Sequence, residues 1–480
     1  MKILLVSPTF FSKGRWDKFH NRLERMGIHG GDSPPLGLAY VAAGAEAAGH
    51  EVRLCDMRVE NPTQDEFAAE LRTYNPDVIG FYSATFNIRE TVEAARFVKA
   101  KMARVIVVAG GPNVGIFPRE TLAFDCFDYG FMGEADETFP RFLKSLATGS
   151  VDPSAIEGLV WRDEAGQIRT TGGPALVADL DALPVATHHV FRGKYVYFAA
   201  SREPFTSMIT SRGCPYNCRF CGKIPGTRKV RFRSADRVLD EMRHVARLGY
   251  REINFFDDLF TVNRERVRQI CDGLLREKLN LFWSVRARVD SVDEEMLGWM
   301  KAAGCRRLYF GVESGSDRTL ELMNKRITTE VAARTLAIAR RLGFETVSYF
   351  IVGFPGETID DMAQTVQFAR KLSTTFASFN MFEPLPASAV HEDMRRQGPE
   401  PWADYLALRT DEIPCYHGDL ARADVEEYFR RCWKAFYLQP RTWWGFLRMV
   451  NSPVRVKNFA MAGLSLIAGH LLSSDLKTKS

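Results

Sequence analysis

The sequence predicts an α/β protein with two successive runs of alternating strands and helices, followed by a mainly helical extension. Two observations lead to this prediction. Short apolar runs alternate with amphipathic helical patterns over residues 1–150, and the alternation resumes about six times over residues 206–386. Such alternation forms parallel sheets, and a doubly wound sheet binds ligands beyond the carboxyl ends of its strands. We expect a hairpin and linker at residues 151–205 and the helical extension at residues 387–480.

Composition and charge are those of a globular protein with a full core. Of the 480 residues, 46% are hydrophobic and 26% are charged, and the net charge of +5 indicates a solvated surface rather than a nucleic-acid partner. No apolar run reaches 18 residues and the opening Met-Lys-Ile-Leu-Leu-Val is too short for a signal peptide, so we expect no membrane span. No disulfide framework is readable, which predicts a cytoplasmic protein. Six scattered cysteines are expected to pack as small hydrophobic residues: Cys55, Cys126, Cys271, Cys305, Cys415 and Cys432.

The first run contains four predicted strands and three predicted helices. Thr63 and Glu66 have the spacing of a capping box, which starts the second helix. We expect strands at residues 2–6, 51–55, 78–82 and 105–109, and helices at residues 36–48, 63–74 and 89–101. Three loops then meet at the carboxyl edge of the sheet: Ser7-Pro8-Thr9, Ser83-Ala84-Thr85-Phe86 and Gly110-Gly111-Pro112-Asn113. Each loop alone is typical of a structural turn, but together they predict a ligand site.

The segment between the two runs carries few signals. Residues 157–171 have the pattern of a β-hairpin, and residues 172–200 have no clear period and read as a linker. The adjacent His188 and His189 are interpreted as surface residues of this linker rather than metal ligands, because neighbours in sequence rarely point at one ion.

Three cysteines are grouped at the start of the second run, in Gly213-Cys214-Pro215-Tyr216-Asn217-Cys218-Arg219-Phe220-Cys221-Gly222. The flanking glycines and the proline keep this segment in a loop. Three thiolates wrapped around a cubane iron–sulfur cluster would leave one of its four irons open. A structural zinc site is the alternative, but it needs a fourth ligand, and none follows at a short spacing. A chance grouping of the three cysteines is the remaining alternative.

This loop resembles the Cys-x3-Cys-x2-Cys motif of the radical S-adenosylmethionine (radical SAM) superfamily, including the aromatic Phe220 before the third cysteine. The resemblance implies a four-iron four-sulfur cluster held by Cys214, Cys218 and Cys221. Its open iron would chelate S-adenosylmethionine, whose reductive cleavage yields a 5′-deoxyadenosyl radical. An electron donor such as flavodoxin or ferredoxin is implied as a partner. No cysteine pair elsewhere is spaced to hold a second cluster.

Residues 34–52 resemble the opening of the cobalamin-binding, Rossmann-like domain found in one subfamily of these enzymes. Gly133-Glu134-Ala135-Asp136 resembles a late turn of that domain. The Asp-x-His-x-x-Gly pattern is absent, so we expect cobalt without a histidine ligand from such a motif, and Asn113 stands where family members often carry histidine. The resemblance implies that cobalamin binds at these residues: Ser7, Pro8, Thr9, Leu36, Gly37, Ser83, Thr85, Gly110, Gly111, Pro112, Asn113, Gly133 and Glu134.

The six strands of the second run match the partial (β/α)6 TIM-type barrel of the superfamily. We expect them at residues 207–209, 252–256, 282–286, 307–312, 346–352 and 378–382, with helix caps at Ser291 (with Glu294) and Thr358 (with Asp361). Active groups in such barrels follow the carboxyl ends of strands. The resemblance assigns Arg288 and Glu313 to S-adenosylmethionine, although each is also explained by a salt bridge at the barrel rim. The full predicted set is Phe220, Gly222, Asp257, Asp258, Arg286, Arg288, Glu313 and Ser314.

The extension carries a helix pattern over residues 422–437 and an aromatic, basic tail over residues 440–472. The tail combines aromatic and apolar residues with cations, so it predicts either peripheral contact with the inner face of a membrane or a helix packed on the protein itself, as a structural element or as a lid over a large, apolar substrate. The residues concerned are Trp443, Trp444, Phe446, Leu447, Phe459, Arg441, Arg448, Arg455 and Lys457.

Three functions stay open from the sequence. The first is methylation of an unactivated carbon of a small-molecule substrate, in which methylcobalamin delivers the methyl group and a second S-adenosylmethionine recharges the cobalt. The second is an oxidative cyclase or hydroxylase reaction, resembling the anaerobic cyclase of magnesium-protoporphyrin monomethyl ester. The third is a non-catalytic cobalamin or iron–sulfur sensor, which the intact open-iron motif disfavours.

Overall fold

The computed structural model describes residues 1–13, 33–149, 151–193, 195, 197, 199–224, 226–414, 418, 420–450 and 452–460. The predicted Cys415 and most of the apolar run 459–472 lie outside the described residues, as does the side chain of Arg448. None of the described helices combines the length and apolar composition that crossing a bilayer requires.

The first sheet has seven strands in the order β2-β1-β3-β4-β5-β6-β7. The first five are parallel, and β6 and β7 form the predicted hairpin, which pairs antiparallel with β5. The hairpin therefore extends the first sheet beyond residue 150. The strands are β1 Lys2–Ser7, β2 Glu51–Asp56, β3 Val78–Tyr82, β4 Ile106–Gly110, β5 Tyr129–Phe131, β6 Leu159–Arg162 and β7 Ile168–Thr170.

Helices cover both faces of this sheet. The predicted capping box is present, because Glu66 N donates to Thr63 Oγ1 (3.3 Å) and Thr63 N donates to Glu66 Oε2 (2.7 Å). The helices are α1 Leu36–Ala47, α2 Met57–Glu60, α3 Gln64–Tyr74, α4 Ile88–Lys101, α5 Pro112–Ile116, α6 Pro118–Leu122 and α7 Thr138–Ala147.

The second sheet is the predicted partial barrel, with six parallel strands in the order β15-β14-β13-β12-β11-β8. A two-stranded antiparallel ribbon, β9 with β10, follows the first barrel strand. The barrel strands are β8 Phe205–Met208, β11 Glu252–Phe255, β12 Phe282–Ala287, β13 Cys305–Glu313, β14 Glu345–Val352 and β15 Phe376–Met381, and the ribbon is β9 Ser211–Arg212 with β10 Arg231–Phe232.

Alternate side chains of each barrel strand face the surrounding helices and form the largest apolar cluster of the chain, as Trp283, Val285 and Phe310 do. The intervening side chains face the lumen, the interior of the barrel. Thr358 forms its predicted capping box, but Asp293 rather than Ser291 caps the third helix of the barrel layer, because Met296 N donates to Asp293 Oδ1. The helices are α8 Ala235–Arg247, α9 Arg264–Glu277, α10 Glu294–Ala302, α11 Asp317–Leu322, α12 Thr329–Arg341 and α13 Ile359–Lys371.

The linker is packed between the two sheets rather than lying on the surface. His188 is buried, with Nδ1 3.0 Å from Thr206 Oγ1, whereas His189 is exposed and lies 3.2 Å from Glu46. The two histidines therefore do not share a ligand, as expected, but the surface interpretation was wrong for His188. The five scattered cysteines within the described residues are buried, as predicted.

The extension first returns to the α/β sheet and then continues to the barrel. Tyr405 donates to Phe86 O (2.7 Å), and Trp402 and Leu406 join the apolar core of the first sheet. The predicted helix over residues 422–437 is present and packs on the barrel. The helices are α14 Ala389–Gln397, α15 Ala403–Leu406, α16 Arg422–Tyr437 and α17 Pro440–Met449, and residues 453–460 are also helical.

The described part of the tail closes the end of the barrel where the strands begin. Arg455 pairs with Glu345, the first residue of β14, and Met449 packs with Tyr309 and Val347. Active groups lie at the other end of such a barrel. The expectation that this part of the tail forms a lid over the substrate is therefore wrong for residues 440–460.

Candidate cofactor site

The two sheets face each other with the carboxyl ends of their strands, and a cavity of about 460 Å³ lies between them. From the first sheet it is lined by the ends of β3, β4 and β5, and from the barrel by residues that follow β8 and β11. The wall is mostly apolar and aromatic, with a few charged groups. Its members include Leu38, Val41, Tyr82, Phe131, Phe139, Ile209, Arg212, Ile224, Phe256 and Asp258.

Ion pairs at one side of this cavity join the two domains. Arg212 of β9 pairs with Asp136 (2.7 and 2.9 Å) and lies 3.2 Å from Glu134. Arg231 of β10 donates to both oxygens of Glu134 (2.7 and 2.8 Å). All four side chains are largely buried, so the low local dielectric strengthens the attraction. Burial tends to lower the pKa of Arg212, but Asp136 and Glu134 raise it above its ordinary value.

The three cysteines of the motif lie on a loop that is held from several sides. Lys223 donates to Cys214 O (2.8 Å) and Tyr216 O (3.0 Å), which ties the two ends of the loop together. Gly213 begins the loop with a φ of +98°, and a Cβ there would lie 2.7 Å or less from the carbonyl oxygens of Thr227 and Lys229. The turn therefore needs glycine, and it directs Cys214 toward its two partners.

The thiols fit a cluster better than a single ion. Within the described residues, the sulfur atoms of Cys214, Cys218 and Cys221 do not all lie within 4.8 Å of one another, as ligands of one zinc must. A cubane places each thiolate on a different iron, so its ligands stand farther apart. Burial raises the pKa of Cys221 to about 11, with Lys223 acting in the opposite direction. A bound cluster would deprotonate this thiol.

The two residues that the resemblance assigns to S-adenosylmethionine lie beside this loop. Arg288 lies with its guanidinium 3.7 Å over the Tyr216 ring, pairs with Asp290 (2.8 Å), and has Nη1 3.9 Å from Cys218 Sγ. Glu313 is buried and accepts from Lys325 Nζ at 2.7 Å. Both side chains are therefore engaged in ion pairs, and both are close to the cysteine loop, Arg288 through Cys218 and Glu313 through its partner Lys325, which lies 5.7 Å from the Phe220 ring. Their contact with S-adenosylmethionine stays a prediction.

The remaining residues predicted for this cofactor separate into two groups. Asp258 and Gly222 line the cavity, and Asp258 accepts from Gly213 N (3.2 Å). Asp257 is fully buried and accepts from Thr210 and Ser211, so the expectation that it lines the cavity is wrong.

Ser314 is likewise buried, where its hydroxyl meets Thr365 Oγ1 (3.0 Å) and supports the turn after β13. Phe220 packs beside Phe354 and Phe382, with Lys325 Nζ 5.7 Å from its ring centroid. Arg286 lies lower in the lumen than Arg288.

The cavity also fits cobalamin. A Cβ built on Gly37 or Gly110 would meet no atom within 4 Å, so both glycines leave open space beyond the strand ends. No histidine is among the described residues that line the cavity, and the absence of a histidine ligand to cobalt stays a prediction. The predicted cobalamin residues in the lining are Gly37, Gly110, Gly111, Pro112, Gly133 and Glu134.

The other residues predicted for cobalamin are outside this lining. Ser83 and Asn113 are fully buried, and Asn113 donates to Thr121 Oγ1 (2.8 Å). Leu36 packs with Ala39 and Tyr40, and Thr85 is buried at the start of a 3₁₀ turn. Ser7, Pro8 and Thr9 follow β1, where the Ser7 hydroxyl bonds to Asp56. These residues therefore belong to the carboxyl edge of the first sheet but do not line the cavity.

Sequence reasoning missed several residues of the site. Arg212 and Lys223 line the cavity, and Lys325 pairs with Glu313. Arg212 and Lys223 flank the cysteine motif in the sequence. They could have been predicted as site residues, because a cation beside three thiolates suits an anionic cluster. Nothing local to Lys325 indicates that it reaches Glu313.

Comparisons with known proteins agree with this geometry. The profile of the Radical SAM superfamily matches residues 208–369, and that of the B12 binding domain matches residues 27–143. An uncharacterised methyltransferase of Pyrococcus horikoshii is 30% identical over 445 residues, covering 92% of this chain and 93% of the relative. The anaerobic magnesium-protoporphyrin IX monomethyl ester cyclase of Rubrivivax gelatinosus is 23% identical, covering 82% and 70%.

Solved structures share the fold. The cobalamin-dependent S-adenosylmethionine radical enzyme OxsB, with aqua-cobalamin and S-adenosylmethionine bound, superposes with a TM-score of 0.73 at 17% identity, covering 98% of this chain and 72% of OxsB. The radical S-adenosylmethionine methyltransferase TsrM of Kitasatospora setae, with cobalamin and a [4Fe-4S] cluster bound, gives a TM-score of 0.65 at 20% identity, covering 82% and 78%.

The three-cysteine loop lies at a cavity between the carboxyl ends of two parallel sheets, which is an arrangement that suits an enzyme with an iron–sulfur cluster and a second large cofactor. The chain belongs to the radical SAM superfamily, in the group that carries a cobalamin-binding domain. Its cofactors are a four-iron four-sulfur cluster, S-adenosylmethionine and cobalamin. Radical SAM proteins are enzymes, and the relative of Pyrococcus horikoshii that covers most of this chain is named as a methyltransferase, which sets the sensor hypothesis aside.

The cluster assignment predicts the effect of removing the thiols. The triple variant Cys214→Ala, Cys218→Ala, Cys221→Ala is expected to lose its iron, because it removes all three predicted ligands and the other described cysteines are buried. Iron and sulfide per chain, with the visible absorption of the anaerobically reconstituted protein, measure this. The control Cys271→Ala removes a buried thiol of the barrel core and should retain the cluster. A triple variant with a full complement of iron and sulfide would contradict the assignment.

The cobalamin assignment predicts a size dependence at Gly37. Alanine there meets no neighbour, so Gly37→Ala should bind hydroxocobalamin as the wild type does. Phenylalanine would extend into the cavity, so Gly37→Phe should weaken binding at least ~10-fold, which corresponds to about 1.4 kcal/mol. Spectrophotometric titration of the full chain measures both. Equal affinity of the two variants would show that the corrinoid binds elsewhere.

Proposed function

We propose that the protein reductively cleaves S-adenosylmethionine at its cluster and methylates an unactivated carbon of a small-molecule substrate with the help of cobalamin. The observation that carries the proposal is the shared cavity. Cys221 and Gly222 of the cysteine loop line the same cavity as Gly110, Gly111 and Glu134 of the first domain. Bound together, the cofactors supply a radical that abstracts hydrogen and a transferable methyl group. Both must reach one carbon, and a single cavity allows this.

The residues of the chain orient and shield this reaction. The pairs of Arg212 and Arg231 with Glu134 and Asp136 fix the first sheet against the barrel, and so fix the distance between the two cofactor sites. Aromatic walls such as Phe131 and Phe256 exclude water from the cavity. Arg288 and the Glu313–Lys325 pair stand beside the cysteine loop, where they suit the charged ends of a bound methionine.

Oxidative cyclisation or hydroxylation is the second candidate. It is supported by the relatives named as magnesium-protoporphyrin IX monomethyl ester cyclases, which cover most of this chain. Both candidates use the same cleavage of S-adenosylmethionine and need an electron donor, such as flavodoxin or ferredoxin. They differ in the fate of the substrate radical, which receives a methyl group in one reaction and loses a further electron in the other.

The two candidates predict different products from labelled cofactor. We expect the reduced holoenzyme, given S-adenosylmethionine with a trideuterated methyl group and a metabolite extract of its source cells, to form S-adenosylhomocysteine and 5′-deoxyadenosine in about equal amounts, together with a product that carries the label. Mass spectrometry measures all three. Extract-dependent deoxyadenosine without S-adenosylhomocysteine or label would contradict methylation and favour the oxidative reaction. A reconstituted enzyme that released no deoxyadenosine would contradict both.

We also propose peripheral contact with an anionic membrane through the tail. Trp443 and Trp444 are 58% exposed and Leu447 is 64% exposed, on one helix that begins at Pro440. Beside them stand Arg340, Arg370 and Arg441, which form no ion pair with a carboxylate in the described part of the chain. Burial and the charges of Arg340 and Arg370 lower the pKa of Arg441, which reflects their mutual repulsion. Aromatic and cationic side chains in this arrangement suit a headgroup region.

Membrane contact predicts binding to anionic liposomes that weakens as salt rises. The double variant Trp443→Ala, Trp444→Ala should reduce the sedimented fraction several-fold, because it removes the apolar contacts. The control Leu275→Ala alters an exposed leucine on α9 and should bind as the wild type does. Co-sedimentation at low and high salt measures this. Wild-type protein that stays in the supernatant at low salt would contradict the proposal.

A further inference from the structure

Arg286, which the resemblance places among the S-adenosylmethionine residues, lies in the lumen of the barrel and is not part of the lining of the cofactor cavity. Arg286 of β12 faces the lumen, since its neighbours Val285 and Ala287 pack outward against the helices. It lies in register with Tyr309 of β13, two residues below Arg288 along the strand. Its guanidinium carbon is 3.8 Å from the Phe256 ring centroid and 5.5 Å from that of Tyr309.

Arg286 differs from the other lumen cations in its partners. Arg307 pairs with Glu252 and Glu345, and Arg455 pairs with Glu345. Arg288 pairs with Asp290, and Lys325 with Glu313. Among the described residues, Arg286 has no carboxylate partner and donates only to Phe255 O at 3.1 Å. Arg286 is partly exposed, so its unpaired charge is accessible to an anion supplied from outside the chain.

A second donor stands nearby. Tyr349 of β14 stacks beside Tyr309, with ring centroids 6.4 Å apart, and its hydroxyl has no hydrogen-bond partner among the described residues. Burial raises the pKa of Tyr349 to about 12, while the charge of Arg286 acts to lower it, which places the two groups in electrostatic contact. The phenol therefore stays protonated and is available to donate.

The position of Arg286 connects it to the reaction. Phe256, on which its guanidinium stacks, also lines the cofactor cavity. Tyr309, Val347 and Phe376 share the register of Arg286 on the neighbouring strands, and they pack together with Met449 of the tail at this level of the lumen. A molecule bound by Arg286 therefore extends upward, toward the cysteine loop.

We propose that the substrate carries an anionic group, a carboxylate or a phosphate-type group, which binds Arg286 at the floor of the lumen with Tyr349 as a second donor. This inference rests on the proposed function, because it names the chemical class of that substrate. The same chemistry could come from the carboxylate of S-adenosylmethionine, and the experiment separates these two sources.

Benzoate serves as the probe, because the site combines a cation with aromatic rings. Its binding to the full-length reconstituted protein, measured by calorimetry with saturating S-adenosylmethionine present, needs no turnover and so can fail independently of the methylation test. We expect Arg286→Gln to weaken benzoate at least ~10-fold and Arg286→Lys to retain part of the affinity. The control Arg264→Gln alters an exposed arginine outside the barrel and should leave binding unchanged.

Two further measurements show that the variant folds, and a third decides the source of the anion. Cluster content and Tm of Arg286→Gln should match the wild type, which shows that the variant folds. Its KM for S-adenosylmethionine in uncoupled deoxyadenosine formation should stay within about twofold. Benzoate that does not bind the wild type, that binds Arg286→Gln equally well, or that is displaced by S-adenosylmethionine would overturn the proposal.

Discussion

The buried pairing of Arg212 and Arg231 with Glu134 and Asp136 is the interaction on which the rest of the site depends. Each sheet alone presents a concave edge at its strand ends, but neither edge encloses a ligand. The pairing holds the two edges face to face, so that residues of both domains line one cavity. Gly133 supports it, since its φ of +83° and its close approach to Ala175 leave no room for a side chain. A buried ion network of this kind fixes geometry more than it adds stability.

Much of the fold was predictable from local pattern. The barrel strands and the first four strands of the first sheet were expected within about two residues, because buried parallel strands read as short apolar runs between amphipathic helices. The cysteine loop could be predicted for a similar reason, because the spacing of its cysteines and its flanking glycines all lie within one short segment of the sequence. What local pattern could not give was the contact between the sheets. Arg212 and Glu134 are far apart in sequence, and the residues that flank each of them do not indicate that the two form an ion pair.

The errors have the same physical origin. Asp257 and Asp258 are adjacent, so one points into the barrel wall and the other toward the cavity, and the sequence does not say which. Ser291 and Asp293 are both favourable helix N-caps and stand two residues apart. The helix begins after Asp293, which is the residue that caps it. The tail has the composition of a lid, but composition carries no information about which end of the barrel it covers.

The position of the tail also constrains the substrate. The described residues of the tail and the linker cover the end of the barrel where its strands begin, and the other end of the lumen faces the cofactor cavity. Arg286 and Arg288 are two residues apart on one strand, which corresponds to about 7 Å along the lumen. A substrate anchored at Arg286 would therefore present to the cofactors a carbon about 7 Å or more from its anionic group. A short polar acid would not reach that far, whereas an extended apolar body with one anionic end would fill the aromatic lumen and arrive at the cysteine loop.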